Sequence, residues 1–95
     1  MSRPDPAAAM NGVGTGHICD QCNRRIQHGD KAGMYVTWME NANEWMPRRT
    51  WCLGCCPEEV DPGTDSADEV ILVGVYFASR LVAVTVRDRS NPAAP

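Results

Sequence analysis

The chain has 95 residues, a formal net charge of −3 and five cysteines. That length allows one small domain, and the charge excludes a strongly basic nucleic-acid binder. The one long apolar stretch, residues 70–86, contains Arg80 and falls short of the about 20 apolar residues that a bilayer span requires, so no membrane role is expected.

Residues 1–16 are rich in Pro, Ala and Gly and have no apolar periodicity, so they read as a disordered tail. They also lack the apolar run of a secretory signal. The expected compartment is therefore the cytoplasm, where thiols stay reduced and paired cysteines usually hold metal.

Residues 17–60 read as a four-cysteine zinc module. Cys19 and Cys22 are separated by two residues, a spacing that turns backbone amides toward the thiolates and stabilises their charge. Asn23 follows, a residue that tolerates positive φ, and Gly29-Asp30 marks a turn. In residues 31–40, Met34, Val36 and Trp38 alternate with Tyr35, Thr37 and Met39, the pattern of a strand. Asn41-Ala42-Asn43 reads as a turn. A returning strand then carries Trp45 and Trp51 on one face, and Pro47 marks it as a sheet edge. The three tryptophans are expected to shield the hairpin and the metal. The second cysteine group should end in a short helix turn, with Pro57 at its first position and Glu58 and Glu59 at its positive end.

Residues 61–69 read as an acidic, solvated loop. Residues 70–88 are rich in β-branched side chains and predict two strands, about 70–77 and 81–87, with a bend at Ala78-Ser79-Arg80. Val82, Val84 and Val86 should form one core face. These strands are expected to pack on the module and to offer a route to self-association. Residues 89–95 read as a second disordered tail.

Cys19, Cys22, Cys52 and Cys55 form the pattern C-x2-C-x29-C-x2-C. Tetrahedral Zn(II) takes four soft ligands, and two facing knuckles supply them. Such a site has no open position, so the metal would hold the fold, and its binding energy would be folding energy. Cys56 is the spare thiol, expected to pack as a small apolar residue. Cys56 and His17 are the alternative ligands, and His28 reads as a loop residue. Arg24, Arg25, Arg48 and Arg49 lie near the knuckles and form a candidate partner-binding patch. No catalytic constellation stands out, and the chain reads as non-enzymatic.

The stretch CDQCNRRIQHGDK, with the later WCLGCC, resembles treble-clef or LIM-like zinc fingers. It looks especially like the small zinc-finger proteins of haloarchaea and their viruses. The resemblance covers residues 17–60 and implies a treble-clef or zinc-ribbon-like module with Cys19, Cys22, Cys52 and Cys55 as ligands. The pair spacing also resembles rubredoxin, which implies one iron and electron transfer. Here Asn23 and Cys56 stand where rubredoxins usually have Gly after each pair, and Pro62-Gly63-Thr64 follows both pairs instead of lying between them. These departures favour zinc.

The fold class that emerges is a small metal-stabilised α+β domain, mostly β: a zinc-knuckle hairpin, a short helix turn and a C-terminal strand pair. The expected role is a zinc-binding interaction module with a protein or nucleic-acid partner, in transcription or regulation. The alternative is an iron electron carrier.

Overall fold

The computed structural model describes residues 4–60 and 68–90. Its centre is a five-stranded antiparallel sheet built from two hairpins. Strands β2 (Lys31–Met39) and β3 (Glu44–Cys52) form one; β4 (Glu69–Phe77) and β5 (Arg80–Arg89) form the other. A two-residue strand, β1 (Val13–Gly14), completes the order β1-β5-β4-β2-β3. The middle strands β4 and β2 are the most apolar and the most buried, because each is covered on both faces.

Each face carries its own core. On one, Ala32, Met34, Val36, Val70, Leu72, Tyr76 and Leu81 pack with Trp45, Ile26 and Met10. Each fully buried Met or Leu in that set contributes roughly 1.5–3 kcal/mol. On the other face Ile71, Trp51, Cys19 and Cys56 form a smaller cluster, flanked by Tyr35 and Val73. The hairpin turn at Asn43 adopts φ 54°, as an asparagine there allows. The second hairpin turns through Ala78 and Ser79, with φ 52° and 63°. Positive φ at both central residues is the conformation that matches strand twist.

Four expectations are corrected. The first concerns the N-terminal segment, where residues 4–14 are built into the domain. A short helix, α1 (Pro6–Met10), starts at Asp5, whose carboxylate accepts from the Ala8 N–H at 3.1 Å. Trp45 Nε1 donates to the Pro4 carbonyl at 2.8 Å, and Met10 is buried. Asp5-Pro6 is a helix-start signal, but five residues are too few to hold a helix alone; tertiary packing orders it. Residues 1–3, 61–67 and 91–95 lie outside the described residues; Asp68 and Glu69, expected in a solvated loop at 61–69, are buried, and Arg89, expected in a tail at 89–95, ends β5.

The second correction concerns the helix turn, which precedes Pro57. It is a single turn closed by the Cys56 N–H on the Cys52 carbonyl at 3.1 Å.

The third is in β3. Tyr35 pairs with Arg49 but Val36 pairs with Pro47, so Arg48 is an extra residue in a bulge. Beyond it every side chain changes face. Trp45 therefore joins the large core while Trp51 joins the small one. Pro47, on the sheet's edge strand, sits where a missing N–H costs no ladder bond.

The fourth is in β5, which has two bulges, so its valines do not share one face. Val82 lies opposite Val75, Val84 packs on the large core, and Val86 is 42% exposed. At the first bulge Gly74 faces two residues, Ala83 and Val84. A Cβ on Gly74 would lie 2.6 Å from the Val82 carbonyl, so no other residue fits. Ala83 takes φ 52° there, the conformation a bulge of this type reserves for glycine. Ala83→Gly should therefore stabilise the domain. It relieves about 1–2 kcal/mol of left-handed strain against about 0.4–1 kcal/mol of added unfolded-state entropy. A thermal melt rising by a few degrees is the expected readout.

No helix among the described residues is long and apolar enough to cross a membrane.

Candidate metal centre

The first knuckle begins where Ile18 bridges to Arg25. The Cys19 N–H donates to the Arg24 carbonyl and the Asn23 N–H to the Cys19 carbonyl, both at 2.9 Å. Asn23 closes the turn at φ 60°. The second knuckle begins with Cys52, the last residue of β3. Its carbonyl receives the N–H groups of Cys55 and Cys56, each at 3.1 Å.

A polar clamp joins the halves. The Asp20 N–H donates to the Thr50 carbonyl at 2.9 Å, and the Thr50 N–H donates back to Asp20 Oδ2 at 2.8 Å. The hydroxyls of Thr15 and Thr50 meet at 2.8 Å. Asp20 and Thr50 thus fix the first knuckle against β3 only two residues from Cys52. No sequence motif announces them; an Asp between two cysteines was the only hint.

The four Sγ atoms of Cys19, Cys22, Cys52 and Cys55 all lie within 4.8 Å of one another. Cys22 Sγ and Cys52 Sγ are 3.9 Å apart. A tetrahedral metal with about 2.3 Å bonds to sulfur needs sulfurs about 3.8 Å apart. All five cysteines are free thiols. The donor set fits a thiophilic metal ion. Cys19 is fully buried, Cys52 and Cys55 are half-buried and Cys22 is exposed, so the centre sits at the rim of the small core.

The protonation chemistry agrees. Burial pushes the Cys19 thiol up, but the N–H groups of Cys22, Cys52 and Gln21 outweigh it and hold the thiol down at about 6. Cys55 is pushed up to about 12, first by hydrogen bonds to the Cys52 and Cys22 thiols, then by burial. Four thiolates cannot crowd together without a cation to neutralise them. A bound divalent ion supplies that charge and displaces the protons.

The remaining candidates are dispersed. Cys56 is 7% exposed and stands outside the cluster of four. Its side chain lies on Gly33, where a Cβ would come 2.8 Å from Cys56 Cβ and overlap its sulfur. Burial raises its thiol, against the nearby Arg87. Cys56→Ala should keep a full complement of metal and cost about 1 kcal/mol for the small cavity. Elemental analysis and a melt on that variant check both halves.

His17 also stands outside the cluster and lines a cleft with His28. Trp51 walls the centre, with its ring centroid 6.3 Å from that of Tyr35. Trp38 and Trp45 do not. They meet edge to face at 5.2 Å, and Trp45 belongs to the large core. Arg24 and Arg25 line a cleft of about 330 Å³ with Lys31, Cys52 and Gly54. Arg48 and Arg49 line another of about 270 Å³ beside Thr50. Among the described clefts the two arginine pairs do not converge. Arg48 donates from Nε to Thr37 Oγ1 at 2.9 Å.

No protein-family model, no curated protein and no solved structure matches this chain. The functional reading therefore rests on the four-cysteine centre itself.

Proposed function

We propose that the chain is a non-enzymatic interaction module whose fold is held by one Zn(II) on Cys19, Cys22, Cys52 and Cys55. The observation that carries this reading is the cluster of four thiols within 4.8 Å. Four protein ligands fill a tetrahedral shell and leave no position for a substrate, which supports a holding role. Five free thiols suit a reducing compartment such as the cytoplasm. The partner is a protein or a nucleic acid, met on the surface around the knuckles.

Iron is the second reading. Tetrahedral thiolate sites accept it as well, and the exposed Cys22 would bring one edge of the centre to solvent, as electron transfer requires. Elemental analysis with a visible spectrum, on protein purified without added metal, separates the two. One zinc per colourless chain supports the proposal. A red protein with one iron replaces it with the electron carrier, and a folded chain with neither metal overturns both.

A further inference from the structure

A cleft of about 480 Å³ lies beside the first knuckle. Pockets that hold small ligands start near 300 Å³. Its polar lining is His17, Arg25, Gln27, His28, Tyr76 and Ser79, and no carboxylate among the described residues lines it. In a chain of net charge −3 that is a local concentration of donors. Arg25 brings five N–H donors and a permanent charge, and each imidazole donates at least one N–H.

Two neighbouring features narrow the ligand. Phe77 is 51% exposed at the end of β4, and the His28 ring stands 4.0 Å from it. An exposed aromatic therefore adjoins an anion-accepting cleft. Arg25 also lines the next cleft, with Arg24 and Lys31. Among the described residues these three cations face a single carboxylate there, Asp30, which accepts from the Gln27 N–H at 3.0 Å. Cationic surface thus continues past the first cleft, the arrangement that follows a phosphate backbone while an aromatic ring takes a base.

We infer that the cleft binds the phosphate of a nucleotide, with Arg25 as the charged contact and the base stacked on Phe77. This deepens the proposed function and rests on the chain being an interaction module. The phosphate could belong to a single strand or to a free nucleotide; the track through Arg24 and Lys31 favours the strand.

The test is fluorescence anisotropy of a short labelled oligothymidylate with the full, metal-loaded chain at low salt, with AMP and inorganic phosphate as competitors. Binding should weaken as salt rises. Arg25→Glu should weaken it about tenfold or more, and Phe77→Ala about tenfold. If Arg25→Glu loses its metal or its β-sheet spectrum, Arg25→Gln replaces it. AMP competing as well as the unlabelled strand keeps the nucleotide site and assigns it to the free nucleotide. Overturning results are no binding of strand or AMP, binding indifferent to Arg25, or displacement by phosphate alone with Phe77→Ala silent. Metal content measured on the same samples keeps this failure distinct from failure of the metal centre.

Discussion

Cys19→Ser should abolish stoichiometric metal binding and leave a chain that no longer unfolds cooperatively. Cys19 is the fully buried member of the four, the one whose thiolate the backbone N–H groups favour. Serine offers a hard, protonated oxygen in its place, a poor ligand for a soft site. A structural zinc contributes roughly 10–16 kcal/mol, whereas a whole small domain is stable by about 5–15 kcal/mol. Loss of the metal term is therefore comparable to everything the fold has. The damage also spreads through contact, since Cys19 shares the small core with Trp51, Cys56 and Ile71. The measurements are the metal-to-protein ratio and a far-UV thermal melt. One metal per chain with an unchanged melt would sink the ligand assignment. A chelator on the unsubstituted chain should reproduce the same loss.

The second large effect comes from the opposite side of the sheet. The Asp68 side chain is fully buried and holds Arg89 through two bonds, from Nε at 3.1 Å and from Nη2 at 2.7 Å. The Arg89 guanidinium in turn lies 5.5 Å from the Trp45 ring centroid. Asp68→Asn removes the charge and leaves a largely buried guanidinium uncompensated. Breaking a buried pair from one side costs about 3–5 kcal/mol; Arg89 is 20% exposed, so the lower end applies. A loss of about 3 kcal/mol lowers the melting temperature of a domain this size by about 12–24 °C. Metal content should stay at its full value, because the pair lies on the large-core face. If Asp68→Asn instead lost its metal at temperatures where it is still folded, the two faces would not be the separate units described above.

Legibility followed the range of the information. The cysteine pairs were readable because a four-thiol cluster is assembled from local two-residue spacings, and Asn23 because one turn imposes its φ. The hairpins were readable because apolar alternation records which face is buried. The segment at residues 4–14 was not, because its order comes from elsewhere. Trp45 reaches Pro4 across the chain, and Val13 pairs with Leu81. The clamp between Asp20 and Thr50 spans thirty positions and leaves no local trace. The paired faces of the tryptophans and valines were misread for one reason. Period-two counting assumes no insertions, and β3 and β5 both contain them.

The bulge at Arg48 gives β3 one residue to spare. Its side chain points to Thr37 and Met39 at the exposed edge, so most substitutions there should be mild. Deleting the residue should be mild as well. Tyr35 already pairs with Arg49 and Val36 with Pro47, so its loss leaves a regular strand with Trp45 on the large core and Trp51 beside Cys19. A second deletion would find no spare residue to absorb it and would turn Cys52 away from its three partners. Descendants of this sequence should vary freely in the residue at this position, or lose it, but lose no other between Trp45 and Cys52.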